Sequence, residues 1–404
     1  MKKLKTLLFV LRFYSLYIYT KILVLFYQII GYKTPKKDIL FLECFPEDGA
    51  GYTYRVKHWM DLLLKDDFKV ESKFIIRLAK DFFRESSSEN LPQFLIKSIV
   101  IRIKQINYSR NFKVVIVRRN LLNYNQYGNH FMEKLLAAAH PNRILDFDDD
   151  VGATVTYDDS KRFFHRLLMT SKDHFYKSFH FYNGFITGSS YLKQLLKTKF
   201  ENLQDKYVQI IPTCVNYTDV ACKVFDSQSI LTFGWIGGTQ NLNLLEKTIP
   251  ALNKIYQNEK IRLIVMAGVD NYDLGAKFPV HFEIYSLETE IDFLKRMDIG
   301  LMPLNDNIIN RGKCGFKLLQ YMGVGVPGIA SAITVNNEII EDNMNGWLVK
   351  SDEDWESVLE KVILKKNDLS KYGANARKTV EERYTFKSNY QFYKKFITQF
   401  AEQH

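Results

Sequence analysis

Arg311, Lys313 and Lys317 open the stretch R-G-K-C-G-F-K-L-L-Q-Y-M-G-V-G-V-P, from Arg311 to Pro327. Phe316, Leu318, Leu319 and Met322 follow at helical spacing, and Gly323, Gly325 and Pro327 close the element as a helix end and a turn. Basic side chains beside the backbone N–H groups of a helix start make a site for an anion such as a phosphate. The plain alternative is a helix docked on a sheet with its cations in water. Gly237 and Gly238 follow the apolar run Leu231 to Ile236, and a glycine pair lets the backbone approach a diphosphate. Asn305 lies in the loop after the run Asp298 to Pro303.

A second group of residues is acidic. Asp146, Asp148, Asp149 and Asp150 (D-F-D-D-D) stand where the apolar run from Arg143 to Leu145 ends. Metal binding, a general base or recognition of substrate hydroxyls all use such residues; a solvated acidic turn is the alternative. Carboxylates this close raise each other's pKa and need a compensating partner, which favours a functional role. Arg118 and Arg119 end the run V-V-I-V, and ligands of open parallel sheets bind outside that end of the strands. Gly51, with Arg55 just beyond it, follows the first apolar run, Ile39 to Cys44, and either faces a ligand or makes a tight turn.

The elements that must position these residues alternate strand and helix. A chain of 404 residues exceeds one ordinary core, so two domains are expected. Strands are expected at Ile39–Cys44, Phe74–Arg77, Val114–Val117, Arg143–Leu145 and Val208–Pro212, with a short strand followed by a helix start in Phe185–Ser190. The same grammar restarts at Leu231–Ile236 and continues through Ile261–Ala267, His281–Tyr285, Asp298–Pro303 and Gly328–Ser331, with one long helix expected over Leu242–Tyr256. The expected domains are residues 34–216 and 217–384, flanked by an apolar, basic helix at 1–33 and a last helix at 385–404 that could cross back to the first domain.

The hydrophobic fraction of 46% and charged fraction of 25% are those of a soluble globular protein. A net charge of +11 suits nucleic acid, an anionic membrane or phosphorylated substrates. No common nucleic-acid motif is visible, so nucleic acid is not an expected partner. The four cysteines show neither metal-ligand nor disulfide spacing, which indicates a reducing compartment. Residues 1–31 are mostly apolar but carry Arg12 and, at the middle of Phe13 to Ile30, Lys21. Their tyrosines and flanking lysines fit a helix lying at a membrane surface better than one crossing it. No small-residue cleavage site is present, so a cleaved signal peptide is not expected. An ordinary helix packed on the first domain fits the same pattern.

The central stretch resembles the donor-site helix of GT-B glycosyltransferases of the large retaining family 4. The likeness runs from G-Y-T-Y-R-V at 51–56 through I-L-D-F-D-D at 144–149, I-I-P-T-C-V at 210–215, F-G-W-I-G-G at 233–238, D-I-G-L-M-P-L at 298–304 and G-K-C-G-F-K-L-L-Q-Y-M at 312–322 to N-G-W-L-V at 345–349. The resemblance implies an α/β chain of two Rossmann-like domains facing a cleft, with an N-terminal amphipathic helix, the donor on the second domain and the acceptor on the first. It implies a retaining glycosyltransferase that moves a sugar, of the hexosyl kind, from a nucleotide-sugar co-substrate to a glycan or lipid-linked acceptor. No metal and no separate cofactor are expected, and the location implied is the inner face of the cell membrane, in surface polysaccharide synthesis. Two glutamates, eight positions apart, usually flank this helix start; Gly312 and Gln320 stand in their places, and the usual arginine and lysine fall near Trp235 and Gln240.

Lys313 and Lys317 are the substitutes expected to stabilise the leaving diphosphate, with Asp149 beside the sugar or acceptor hydroxyl. Gly237, Gly238, Arg311, Gln320, Asn305 and Phe316 are the expected donor-binding residues. Gly51, Arg55, Arg118 and Asp148 are expected on the acceptor side. A binding protein with a degenerate donor site is the second expectation, carried by Gly312 and Gln320. A nicotinamide enzyme fits less well, because neither half opens with a full dinucleotide fingerprint.

Overall fold

The computed structural model describes residues 2–87, 90–122, 130–153, 173–201, 203–204, 207–217, 219–226 and 229–402. It divides into two compact units: Met1–Pro212 with Tyr390–His404, and Thr213–Asn389. Among the described residues each unit holds one six-stranded sheet, and all pairs are parallel.

In the first unit the strands are β1 (Lys37–Glu43), β2 (Val70–Phe74), β3 (Phe112–Arg118), β4 (Arg143–Phe147), β5 (Gly184–Thr187) and β6 (Val208–Ile210), in the order β2-β1-β3-β4-β5-β6. The central strands are buried on both faces because helices cover both sides, so they read as continuous apolar runs. The edge strand β2 differs. It was expected over Phe74–Arg77, where the run is apolar; the ladder forms instead on V-E-S-K-F, whose middle residues are half-buried at the sheet edge. Ile75 and Ile76 are buried beyond the strand's end.

Helix α1 (Lys2–Ile30) packs on α2 (Leu91–Ser109) and α3 (Phe131–Ala139). Phe13, Thr20 and Tyr27 are its buried residues; Tyr27 donates a hydrogen bond to Asn107 Oδ1 at 2.9 Å. Arg110 lies over the Tyr27 ring at 4.7 Å and donates to the Gly31 carbonyl at 2.6 Å, fixing the helix end. The opposite face is apolar and exposed, from Leu7 and Leu11 to Leu25 and Ile29.

In the second unit β7 (Leu231–Ile236), β8 (Ile261–Ala267), β9 (Val280–Ile284), β10 (Ile299–Met302), β11 (Gly328–Ser331) and β12 (Gly346–Val349) run in the order β12-β11-β10-β7-β8-β9. The helix expected over Leu242–Tyr256 is broken into an α turn at Leu242–Leu245, a 3-10 turn and the helix Ile249–Ile255, where Pro250 sits in the first turn. Proline lacks the N–H that a continuous helix would need there. Helix α4 (Phe316–Gly323) begins at Gly315, whose φ of +70° suits glycine. A short helix, Ile308–Arg311, precedes it and was not foreseen; Asn307 caps it by accepting from the Asn310 N–H. Helix α5 (Phe386–Glu402) belongs to the second unit up to Asn389 and to the first from Tyr390. Within the first unit Tyr393 stacks on Trp59 at 4.5 Å, and Tyr390 donates to Asp66 at 2.7 Å.

Both sheets reverse strand order once, between β1 and β3 and between β7 and β10. Strands diverge there, and the crevice at their carboxyl ends is where such sheets take ligands. The β7–β10 ladder comprises Ile299↔Phe233 and Gly300↔Gly234. Past it the buried Tyr321 hydroxyl from α4 accepts from the Ile236 N–H at 3.2 Å and donates to the Leu301 carbonyl at 3.2 Å. Gly300 makes this possible, because a Cβ there would lie 2.1 Å from the Tyr321 ring. Tyr321→Phe leaves a buried N–H and a buried carbonyl unpaired and should cost about 1–3 kcal/mol. Urea unfolding followed by tryptophan fluorescence measures this; an unchanged midpoint would mean the hydroxyl does not hold the strands.

Candidate active site

The second unit gathers two of the three predicted cations, Lys313 and Lys317, at one turn. β7 delivers Trp235, Gly237 and Gly238 to its carboxyl end, and the Gly237 N–H donates to the Met266 carbonyl at 3.0 Å. Lys317, in the first turn of α4, runs beside that glycine: a Cβ on Gly237 would lie 2.7 Å from Lys317 Cε. Its ammonium stands 5.1 Å from the centre of the Trp235 ring, a cation–π contact that draws the side chain toward β7. Lys313 Nζ reaches Asn241 Oδ1, on the same turn, at 3.4 Å. Lys317 thus runs beside Gly237 and Lys313 reaches the Asn241 side chain, so two cations from the loop and tip of α4 meet the Gly237–Asn241 turn.

Other predicted donor residues fall around this point in different ways. Phe316 is half-buried at the tip of α4, and Gln320 is buried one turn further along. The Asn305 carbonyl accepts from Asn310 Nδ2 at 2.9 Å, which shapes the loop after β10. Arg311 departs from expectation. It ends the short helix and is bound through Nε and Nη2 to Asp306 at 2.5 and 2.9 Å, with both side chains about half exposed. Its charge is already matched by a carboxylate, so it is not one more cation directed at the turn.

Sequence reasoning missed three contributors here. Tyr321 lies within G-K-C-G-F-K-L-L-Q-Y-M and Trp235 within the run Leu231–Ile236, and residue type alone assigns neither to a donor site. Asn336 is fully buried; its Nδ2 donates to the Ser331 carbonyl at 2.9 Å, while its Oδ1 finds no donor among the described residues. That oxygen lies near Gly315, 3.7 Å from the Cβ that glycine lacks, so an unused acceptor faces the start of α4.

In the first unit the acidic run is divided among partners. Asp146 pairs with Arg55 at 2.5 Å, and Arg55 also donates to the carbonyls of Ile211 and Pro212 at 2.7 and 3.1 Å. Asp148 pairs with Arg119 at 3.1 Å, and Asp149 pairs with the same guanidinium. Asp150 accepts from the Tyr176 hydroxyl at 2.8 Å. Of the four, Asp149 is the half-exposed one and the others are buried. No group of three metal-binding side chains converges among the described residues. Burial pushes Asp148 up, but the guanidiniums of Arg119, Arg118 and Arg55 outweigh it and hold the carboxyl well below its usual range.

Arg55 is the correction on this side. It lies in a π-helical turn, Thr53–Lys57, with 1% exposure, and holds the end of the unit's chain to β4 instead of facing a ligand. Arg118 is also buried, with Glu43 as its neighbour at 3.5 Å. Gly51 passes directly over it, for a Cβ there would come 2.4 Å from Arg118 Nη2. Arg119, which binds both Asp148 and Asp149, and the buried Glu43 join this cluster without having been expected on the acceptor side.

Residues 227–364 match the model of the family described as glycosyl transferases group 1, within the second unit. No curated protein matches the chain in sequence. Similar solved structures include the sucrose-phosphate synthase of Thermosynechococcus elongatus, at 12% identity and a TM-score of 0.66 over 91% of this chain and 100% of that one. A glycosyltransferase from Rickettsia africae is similar at 12% identity and 0.62, over 91% and 100%. HepE of Anabaena, in complex with UDP-glucose, is similar at 12% and 0.59, over 91% and 99%. The chain therefore has the GT-B fold of glycosyltransferases, two Rossmann-like units, and its second unit is similar to glycosyl transferases group 1.

The buried Glu43 gives a pH signature. Burial, opposed by Arg118 and reinforced by Asp146, pushes its carboxyl up to about 7. The fold keeps that proton where an unfolded chain releases it near 4.3. The stabilisation is complete below the unfolded value and is lost as pH rises through about 7. Glu133, pushed up to about 7 by burial, adds a decline in the same window. Glu43→Gln should make the fall in urea midpoint between about pH 5 and 8 shallower than in the parent protein. Parallel curves for the two proteins would mean that Glu43 is ionised in the fold.

Proposed function

We propose that this protein is a retaining glycosyltransferase that moves a sugar from a nucleotide donor, held by the second unit, to a glycan or lipid-linked hydroxyl recognised by the first. The observation that carries this reading is the meeting of Lys313 and Lys317 at the Gly237–Asn241 turn, beside the point where β7 and β10 part. Transfer breaks the bond between the sugar's anomeric carbon and the diphosphate oxygen, which leaves with the electron pair. The acceptor oxygen forms the new bond, and its proton passes to the departing phosphate or to solvent. Negative charge therefore grows on the diphosphate, and fixed cations with oriented N–H groups favour the transition state over the bound donor.

Lys317 is suited to this because the ring beneath it and the glycine beside it limit its conformations before the donor arrives. Gln320 would offer the ribose a neutral hydrogen-bonding group, and the Asn336 Oδ1 an acceptor. Asp149, half-exposed and matched by Arg119, would lie on the acceptor side with Arg118 and Asp148 supporting it. The site needs no divalent ion in this reading, since the lysines take its charge-neutralising role. We place the enzyme on the cytoplasmic face of a membrane, where nucleotide sugars are available, in the synthesis of a surface glycan.

A second reading, donor binding without transfer, is favoured by Gly312 and Gln320 in place of two glutamates. One panel of nucleotide sugars, beginning with UDP-glucose as the ligand of the HepE structure, separates the two. The enzyme reading expects donor binding and slow hydrolysis to free sugar; binding with no hydrolysis under any acceptor supports the second reading. Lys317→Ala should lower turnover by roughly 100-fold, the scale of losing one preorganised charge partner in the transition state, with its urea midpoint nearly unchanged. A turnover loss below about threefold would remove Lys317 from the chemistry.

A further inference from the structure

Helix α1 is apolar on two opposite sides, and the fold uses one of them. Phe13, Thr20 and Tyr27 face the first unit, where Tyr27 is tied by Asn107 and Arg110. The other side exposes Leu7, Leu11, Ile18, Ile22, Leu25 and Ile29, with Leu25 at 62% and Ile29 at 83%. At 100° per residue these side chains, with the other large apolar residues exposed on the helix, share one arc of about 160°. Arg12 and Lys21, both exposed, stand at its two edges. An apolar face running from Leu7 to Ile30, about 35 Å of helix at 1.5 Å per residue, exceeds what a monomer leaves in water without a use.

Charge says what covers it. Beside the arc, between α1 and α3, lies a groove of about 250 Å³ lined by Tyr17, Thr20, Val24 and Phe131, with Lys21 and Lys134 at its polar positions. Lys134 is exposed, and Lys21 stands 4.8 Å from the Tyr17 ring centre. An apolar slot with two cations matches an anionic phospholipid, its phosphate between the ammonium groups and an acyl chain along the slot. The chain's net charge of +11 adds a general attraction to such a surface.

We infer that α1 lies in the plane of an anionic bilayer, its exposed face in the acyl boundary, and that the α1–α3 groove binds the head of an anionic lipid. This rests on the membrane location proposed above and supplies its partner. By length and composition the segment Thr6–Ile30 could span a bilayer. Spanning would strip Phe13, Thr20 and Tyr27 from their packing and break the Arg110 contacts. Lying flat keeps all of them and puts Arg12 and Lys21 at head-group depth.

The test floats the full-length protein with vesicles of phosphatidylcholine, alone or mixed with phosphatidylglycerol. Binding to the mixed vesicles should be roughly 30-fold tighter, at about 1 kcal/mol for each of two lysines. Ile18→Glu with Ile22→Glu and Leu25→Glu, all on the exposed face, should abolish flotation on both without lowering the melting temperature. Lys21→Gln with Lys134→Gln should leave binding but erase the preference for the anionic mixture. Alkaline carbonate should release the protein. Equal binding to both vesicles, flotation that survives the three glutamates, or retention after carbonate would each overturn the proposal. So would a dimer, seen by sedimentation and dissolved by the glutamates, with no vesicle binding, for then a second copy covers the face. Donor binding measured without vesicles reports on the second unit alone, so either reading can fail without the other.

Discussion

The parting of β7 and β10 is the constraint on which the arrangement of the second unit's candidate site depends. A parallel sheet satisfies its backbone by neighbouring strands, and it can offer a ligand an opening only where two neighbours diverge. Divergence leaves N–H and carbonyl groups without ladder partners in a dry interior. The Tyr321 hydroxyl resolves this, serving the Ile236 N–H and the Leu301 carbonyl together. The same helix then carries Lys317 to the Gly237 turn. Strand separation and cation placement are therefore consequences of one docked helix, and Gly300 is small because Tyr321 must lie against it.

The first unit meets a different difficulty. It crowds Glu43, Asp146, Asp148 and Asp149 against Arg55, Arg118 and Arg119 at the carboxyl ends of β1, β3 and β4. Buried charges are tolerated when paired, and removing one partner is more damaging than the net worth of the pair. The pairing is uneven: Asp148 is held ionised by several guanidiniums, while the desolvated Glu43 keeps its proton far above the ordinary range.

Helix α1 shows a third division of labour. One side is fixed by aromatic packing and the Arg110 contacts, and the other retains an apolar surface that the fold does not cover. A helix with one buried side shows a single apolar stripe against a polar remainder. Apolar residues on two opposite sides of α1 erase that contrast. Its pattern along the chain therefore supports both a packed helix and a surface helix, and the two readings are compatible in space.

Much of the architecture was legible in order. Continuous apolar runs marked the central strands because both sheet faces are covered, and the glycine pair after β7 marked where the backbone turns, whereas Gly51 after β1 lies within a helical turn. The strand β2 was not, since an edge strand alternates with polar residues and a neighbouring apolar pair, Ile75 and Ile76, imitates a strand. Of the site, Lys313, Lys317 and the Gly237–Gly238 turn could be picked out singly from residue type and helix phase, and the resemblance to GT-B donor sites grouped them. Arg311 and Arg55 could not be judged that way: an arginine's partner depends on which carboxylate or carbonyl folding brings near, and theirs are Asp306 and Asp146. Tyr321, Asn336 and Glu43 carried no local signal, because a hydroxyl, an amide or a carboxyl becomes informative only when burial removes water. Residue types and periodicity by themselves determined the two-unit parallel α/β plan and the cationic helix tip, since those follow from spacing. Which charges are matched, which polar atoms remain unpaired and which face of α1 stays open were decided by tertiary packing, which alone sets distance and desolvation.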